Sequence, residues 1–224
     1  GGYHWSSSED YTYGHTGDAA WNVYAYDGNV SNGNKNGYGY VRCVLPFEDN
    51  GGGTAKVCTA DYKYTCAFDS STHITGGVGD SCGGFYKSCT CQSGYEWKDG
   101  ACAQNCVVGS ILNSDMSCSA SKVSGKTPIG VVSYVNGSKR IAINLDYTNM
   151  QWGGYGTDIP GLTNYSSSPH TTDFNGKSNT SKIETTLGSG TSYAAGYCNA
   201  YRTSRVSGWY LPAQGELYAS IVTN

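Results

Sequence analysis

Residues 208–217 read GWYLPAQGEL and contain the most informative local pattern of the chain. Three apolar residues recur after the proline at helical spacing: Leu217, Tyr218 and Ile221. Proline is tolerated at the first helical position, where its missing N–H would have no partner. Glu216 then falls in or near the first turn, where the helix dipole favours a negative charge. The pattern predicts a strand-like entry and a helix that begins at Pro212, too short to be stable unless it docks elsewhere.

The composition favours a loop-rich β protein. The chain has 224 residues, of which only 14% are charged, with 32 glycines and 20 tyrosines. A net charge of −3 makes nucleic acid and anionic membranes poor partners. No apolar run reaches the length of about 20 residues that spans a bilayer. The sequence has no initiator Met and no signal peptide, so we expect a mature or excised product.

Ten cysteines in a chain with few charges favour disulfides and an extracellular or cell-surface location. All ten are expected to be bridged: Cys43, Cys58, Cys66, Cys82, Cys89, Cys91, Cys102, Cys106, Cys118 and Cys198. The alternative is a reduced zinc protein. Cys89 and Cys91 are one residue apart and no C-x2-C pair lies nearby, so we expect no metal.

A family resemblance rests on several motifs. GWYLPAQGEL resembles the GW-x-LP-x-x-x-EL signature of the DUF1566 family and of the Fibrobacter succinogenes major paralogous domain, bacterial surface domains related to the C-type lectin fold. Further motifs of these families resemble eight stretches of the chain: YHWSSSE, AWNVYAYDGNV, YVRCV, PIGVVSYV, RIAINLD, QWG, DFNGKSNT and YAAGYC. The resemblance implies an α+β, C-type-lectin-like domain of antiparallel strands with two or three short helices.

The motifs stand in permuted order. In the family GWYLP precedes WSSSE, whereas here the WSSSE half comes first. Three explanations remain open: a circular permutation, a domain shared between two chains, and one unit of a tandem array. We therefore assign residues 1–45 as the C-terminal half of the domain and residues 107–224 as the N-terminal half.

Residues 46–106 separate the two halves. Leu45 to Lys56, with three consecutive glycines, reads as a linker. The following segment is rich in cysteine and poor in aliphatic residues, so disulfides must hold it together. The run from Ser88 to Cys102 resembles the C-x-C-x-x-G-Y turn of EGF-like modules.

Local patterns predict several further elements. Residues 129–135 and 141–145 read as a hairpin, and Asp27-Gly28 as a type I′ turn after a half-buried strand at residues 21–26. Helices are predicted over residues 175–187 and 193–201, and a long loop over residues 149–168.

The resemblance also implies one disulfide pair. In the lectin-like fold a helix-to-strand disulfide ties the domain, and Cys198 and Cys43 lie in the matching motifs YAAGYC and YVRCV. Cys106 and Cys118 are expected to form a second, local bridge. The connectivity from Cys58 to Cys102 stays open.

A polar, aromatic face in the first forty residues is the candidate ligand-binding surface. Tyrosine offers rigid amphipathic area, and Asn and His supply adaptable hydrogen bonds. The alternative is an ordinary polar sheet face. The candidate residues are Tyr11, Tyr13, His15, Tyr24, Tyr26, Asn32, Asn34 and Tyr38.

No catalytic pattern emerges. The four histidines are isolated, and no nucleophile elbow or phosphate loop occurs. Glu9 and Glu216 are motif carboxylates that lectin-like packing would hold near the core. The calcium-binding tripeptides of animal C-type lectins are missing, and we expect no cofactor.

Three functions are considered. The first is a secreted or cell-surface bacterial adhesin that binds an extracellular protein or glycan. The second is the subunit of an extracellular filament that polymerises head to tail by sharing domain halves. The third is a carbohydrate-active enzyme that uses Glu9 or Glu216.

Overall fold

A computed structural model of the chain describes residues 2–11, 17–48, 63–68, 71–79, 81–92, 95–98, 100–136 and 139–222. The chain forms two compact units. Unit 1 contains Gly1–Phe47 and Val108–Asn224, and unit 2 contains Glu48–Val107. The sequence-based boundaries are residues 45/46 and 106/107. Unit 1 is an α+β fold with mostly β structure.

Unit 1 begins with five strands: β1 (Tyr3–Asp10), β2 (Ala19–Tyr24), β3 (Val30–Asn34), β4 (Tyr38–Val41) and β5 (Val44–Glu48). Unit 2 supplies the next four: β6 (Ile74–Val78), β7 (Ser88–Cys91), β8 (Tyr95–Lys98) and β9 (Ala101–Gln104). Unit 1 then continues with six more: β10 (Ile111–Asn113), β11 (Cys118–Ser119), β12 (Pro128–Asn136), β13 (Lys139–Asn144), β14 (Thr148–Gln151) and β15 (Asn164–Tyr165). Its helices close the chain: α1 (Gly176–Leu187), α2 (Ala194–Ala200) and α3 (Gln214–Ile221).

Two sheets organise unit 1. The larger has the order β14-β4-β1-β2-β3, and β15 also pairs with β1. In it β1 runs parallel to β4 and β15 and antiparallel to β2. The smaller sheet has the order β11-β10-β12-β13-β5. Each sheet therefore combines strands from the first and the last part of the sequence.

Strand β2 corrects one prediction. The alternation of Trp21 and Val23 with Asn22 predicts a half-buried strand that reaches Tyr26, but β2 ends at Tyr24. Trp21, Asn22 and Val23 are all buried, because the sheet is covered on both faces here. The Asn22 backbone carbonyl accepts a hydrogen bond from the Gln214 side chain of α3 at 3.1 Å, so the start of this helix lies against the strand here.

The turn after β2 also differs from the prediction. A type I′ turn needs two residues with positive φ, whereas only Gly28 has positive φ among residues 25–29. Tyr24 N–H donates to the Asn29 carbonyl, and Gly28 N–H donates to the Tyr24 carbonyl, both within 2.9 Å. The connection is therefore a longer loop.

The C-terminal helix begins two residues later than predicted. Its N-cap is Ala213, and Glu216 lies in the first turn as expected. The prediction that Pro212 is the first helical residue is wrong. The Pro212 carbonyl instead accepts a hydrogen bond from Ser7 N–H at 2.7 Å, which holds the proline in the extended entry segment. The helices predicted over residues 175–187 and 193–201 are confirmed as α1 and α2.

Two loop predictions are wrong. Residues 44–48 form β5 rather than the start of a linker, since β13 and an antiparallel bridge from Val44 to Tyr210 satisfy its backbone. The predicted loop over residues 149–168 contains strand residues of β14 and β15, which pair with β4 and β1. Both strands are short, so their hydrophobic period carries little signal.

The described residues of unit 2 form two antiparallel strand pairs, β6–β7 and β8–β9. Disulfides join Cys66 to Cys89 and Cys91 to Cys102. Every cysteine that the structure describes is disulfide-bonded, including Cys82, Cys106 and Cys118, while Cys58 lies outside the described residues. These bonds are compatible with an extracellular protein.

In unit 1 a disulfide joins Cys43, between β4 and β5, to Cys198 of α2 across 155 residues of sequence. It therefore connects the first and the last part of the chain within one molecule. No helix in the described part of the chain is long and apolar enough to cross a bilayer.

Candidate ligand-binding site

The motifs that carry the family resemblance meet in a buried hydrogen-bond network around β1. Ser6 Oγ donates to the Trp21 carbonyl at 2.7 Å, and the Trp152 indole N–H donates to the Ser6 carbonyl at 2.7 Å. Ser8 Oγ donates to the Asp173 carboxylate at 2.7 Å and accepts from Gln214 N–H at 2.9 Å. The small serines let three distant segments approach one strand, so this network is structural.

A buried ion pair lies at the end of the same strand. Lys35 Nζ donates to the Glu9 carboxylate, and the two side chains are 0% and 1% exposed. The Lys35 ammonium also donates to the Thr157 carbonyl at 2.8 Å and lies 4.4 Å from the centre of the Trp152 ring. Burial raises the pKa of Glu9 and lowers the pKa of Lys35, partly offset by their mutual attraction. Both groups are engaged with each other and line no open cleft.

Glu216 is likewise engaged. Its carboxylate accepts from the Tyr210 hydroxyl at 3.0 Å and from Ala213 N–H at 2.9 Å, the contact that caps α3. Burial raises the pKa of Glu216. Both motif carboxylates therefore hold backbone and side-chain groups in place, and neither lies in the cleft described next.

An aromatic cleft of about 350 Å³ opens beside strands β1 and β4. We call it the tyrosine cleft, and its lining residues are Gly2, His4, Ala25, Tyr26, Tyr40, Arg42 and Tyr147. His4 and Tyr40 are register partners on the parallel pair β1–β4, so their side chains share one face of the sheet. Tyr26 lies in the β2–β3 loop, and Tyr147 directly precedes β14. Four separate segments thus build the cleft.

Ring contacts fix the shape of the tyrosine cleft. The Tyr40 ring lies 5.4 Å from His4 and 5.3 Å, edge to face, from Tyr147. Gly2 lies against the Tyr40 ring, where an added Cβ would come within 2.5 Å of Cε2. Tyr26 and Tyr147 are nevertheless 71% and 60% exposed. Their ring faces are held in a concave site but left open to solvent, as in many binding sites.

One positive charge lies in the cleft. Arg42 donates to the Asn144 carbonyl at 3.0 Å, and its guanidinium lies 5.6 Å from the centre of the Tyr147 ring. Burial, and to a lesser degree the Arg42 charge, lower the pKa of His4 to about 4. The imidazole is therefore neutral near pH 7. Arg42 is the cation of the tyrosine cleft.

The backbone around Arg42 is firmly held. Cys43 N–H donates to the Asn144 side chain and Asn144 N–H donates to the Cys43 carbonyl, each at 3.0 Å. Strand β14 pairs with β4 directly after Tyr147. The Cys43–Cys198 disulfide follows Arg42 in sequence. Arg42 and Tyr147 thus lie in short connections that are flanked on both sides by paired strands.

The eight residues predicted to bind ligand are distributed over different surfaces. Tyr26 lines the tyrosine cleft, and Tyr24 packs between Tyr26 and Tyr3 with ring centres 6.1 and 5.8 Å away. Asn32 pairs with Trp21, so it points to the opposite face of the sheet from Tyr24. The remaining described members are Tyr11 at the end of β1, Asn34 on β3 and Tyr38 on β4. Tyr13 and His15 lie outside the described residues. The role of all eight residues in ligand binding stays a prediction.

A larger groove of about 560 Å³ follows α1. Three lysines line it, namely Lys139, Lys177 and Lys182, together with Glu216 and Tyr210. The aromatic and acidic groups of this groove are already bonded to each other. The Lys182 ammonium of this groove donates to the Gly161 carbonyl at 2.7 Å, and its Phe174 ring is half-buried. We favour the tyrosine cleft as the candidate site, because its Tyr26 and Tyr147 rings are 71% and 60% exposed.

Most residues of the tyrosine cleft were not predicted from the sequence. Tyr40, Arg42 and His4 lie in the quoted motifs YVRCV and YHWSSSE, but nothing in the sequence shows that these two strands are parallel neighbours. Tyr147 follows a hairpin and has no pattern of its own. Lys35, the buried partner of Glu9, was not predicted either, because it lies in the polar run SNGNKNG, which is typical of an exposed turn.

Comparison of the chain with known protein families, with curated protein sequences and with solved structures finds no match in any of the three. The geometry of the tyrosine cleft is therefore the basis for a functional proposal.

Proposed function

We propose that the chain is a non-enzymatic binding domain of a secreted or cell-surface bacterial protein, with a lectin-like fold, and that it binds glycans in the tyrosine cleft. The observation that carries this proposal is the pair of tyrosines, Tyr26 and Tyr147, whose rings stay 71% and 60% exposed inside a concave site. Folding leaves such apolar surface open at a cost, which binding offsets. The rings present flat faces to the C–H groups of a sugar, and their hydroxyls can bond its oxygens.

The lectin-like fold is supported by the meeting of the family-like motifs. WSSSE, DFNG and GWYLP are distant in sequence, yet Ser8 bonds both Asp173 and the backbone of Gln214. A further motif supplies Trp152, which bonds the same strand. The motifs stand in permuted order, but one chain contributes both halves of the domain to unit 1.

The engagement of Glu9 and Glu216 supports the absence of catalysis. A glycosidase needs two carboxyl groups that flank the scissile bond, with one free to donate a proton. Here Glu9 is paired with Lys35 and Glu216 with Tyr210 and Ala213, and neither lines the tyrosine cleft.

The experiment is an array of neutral and acidic glycans, probed with the wild-type chain and with Tyr26→Ala/Tyr147→Ala. We expect the wild type to bind a restricted set of glycans and the double variant to lose at least tenfold in signal. Tyr155→Ala is the matched control, because Tyr155 is 53% exposed and lies outside the cleft. Equal binding by all three proteins, or by none, contradicts the proposal.

The filament hypothesis stays a prediction and needs a separate readout. A subunit that shares domain halves forms species whose size grows with concentration, and electron microscopy of purified material would show regular fibres. A discrete monomer over a hundredfold concentration range excludes it.

A further inference from the structure

The residues that line the tyrosine cleft include one cation, Arg42. We infer that the preferred ligand of this cleft is a sugar with a single negative charge, such as the carboxylate of a uronic acid, bound by Arg42. This inference rests on the proposed function and specifies its ligand class. Three observations support it: the state of Arg42, the neutrality of His4 and the size of the cleft.

Arg42 has capacity for an anion. Its one hydrogen bond to protein at Nη1 goes to the Asn144 carbonyl, and the ion pairs of the described residues do not include it. A guanidinium has five N–H donors in a planar fork that matches a carboxylate. The side chain also lies over the Tyr147 ring, so the fork is held against the wall where a sugar ring would stack. Charge and ring face are therefore presented together.

Apart from Arg42, the side chains that line the cleft add no charge near pH 7. His4 is neutral near pH 7, and the remaining lining side chains are uncharged phenols and an alanine. A doubly charged phosphate would have only one cation, Arg42, as its partner, whereas the single charge of a carboxylate equals that of Arg42. A neutral sugar would leave the guanidinium without an anionic partner, so it forfeits the charge-assisted bonds.

The size of the cleft agrees with a small ligand. About 350 Å³ is at the lower end of the range for small-molecule sites. This volume accommodates one or two sugar rings, with Tyr26 and Tyr147 available for stacking. The terminal acidic sugar of a glycan, rather than an internal stretch, fits such a site.

The test is an NMR titration of the 15N-labelled wild-type chain with methyl β-glucuronide and with methyl β-glucoside, which differ only in the carboxylate. We expect the glucuronide to bind about five- to tenfold more tightly, with shifts at Arg42 and Tyr147. Its advantage should shrink between 50 and 500 mM salt, because the charges are partly exposed. Arg42→Gln should abolish the difference between the sugars, and Tyr147→Ala should weaken both.

Arg205→Gln is the control for net charge, since Arg205 is exposed and lies outside the cleft. Equal affinities for the two sugars, both reduced by Tyr147→Ala, overturn the charge inference and leave the proposed function standing. Hippurate, a carboxylate without a sugar ring, should bind at least fivefold more weakly than the glucuronide, and equal binding overturns the acidic-sugar assignment. If neither sugar shifts cleft resonances the inference also fails, and the glycan array decides the proposed function separately.

Discussion

The two units of this chain are stabilised in opposite ways. Nearly all buried apolar side chains belong to unit 1, where Trp5, Trp152 and Trp209 are each at most 1% exposed. Among the residues of unit 2 that the structure describes, the buried hydrophobic ones are the cysteines Cys89 and Cys106. Unit 1 therefore relies on packing around buried polar groups, and unit 2 relies on covalent bonds. The tyrosine cleft is found in the unit that has the packed core.

Disulfide removal is the strongest test of this contrast. Cys66→Ser/Cys89→Ser should abolish hydrogen-exchange protection throughout β6 and β7, because no core remains to hold the hairpin. Cys43→Ser/Cys198→Ser should lower the free energy of unfolding of unit 1 by about 3–5 kcal/mol and leave it folded. Hydrogen exchange with mass spectrometry reads both units in one experiment. Retained protection in β6 and β7 would contradict the contrast.

The buried ion pair tests what the core of unit 1 contains. Lys35→Met leaves the Glu9 carboxylate buried without its partner, and we expect a loss of about 3–5 kcal/mol in urea unfolding. The double variant Glu9→Leu/Lys35→Met removes both charges and should recover at least half of that loss. A double variant as unstable as Lys35→Met would contradict this account of the pair.

Weakening the N-terminal cap of α3 should reduce the stability of unit 1 by a smaller amount. Glu216→Gln keeps the shape but cannot accept equally well from both the Tyr210 hydroxyl and Ala213 N–H. We expect a loss of about 1–3 kcal/mol, measured by thermal unfolding. Glu184→Gln, on the partly exposed side of α1, is the control and should change stability by less than about 0.5 kcal/mol. Equal effects of the two substitutions would refute a special role for Glu216.

The smallest expected effect concerns the pH dependence of unit 1. The pKa of His4 is lowered from 6.5 to about 4 in the folded chain. The unfolded chain therefore binds a proton in this window that the folded chain does not, so stability falls as the pH drops from about 7 to 4. Because the ring is partly exposed, we expect a contribution of about 1–2 kcal/mol. His4→Phe should flatten the stability curve in this window, and an unchanged slope would contradict the shift.

The sequence predicted the parts of the fold that local physics determines. Periodicity placed both ends of α1 and α2 to within one residue, and the strands predicted over residues 129–135 and 141–145 pair as β12 and β13. It failed where partners distant in sequence decide the outcome. Nothing local shows that β5 pairs with β13, or that Asn22 is buried beneath α3. The entry into α3 was misplaced because Ser7, over two hundred residues away, holds Pro212 in an extended segment.

The candidate site was predictable only in kind. A tyrosine-rich surface near the first forty residues was expected, and Tyr26 belongs to the tyrosine cleft. The cleft itself forms where parallel strands β1 and β4 bring His4 beside Tyr40, and where β14 delivers Tyr147 from a different part of the chain. Such juxtapositions depend on topology and have no signature in residue spacing.

One chain closes unit 1 with both the first and the last part of its own sequence. Non-reducing mass spectrometry with disulfide mapping, on native material at two protein concentrations, tests it most directly. We predict a Cys43–Cys198 link within a discrete monomer at both concentrations. The same link between chains, in species whose size grows with concentration, would contradict the claim and favour a filament subunit that shares its domain halves.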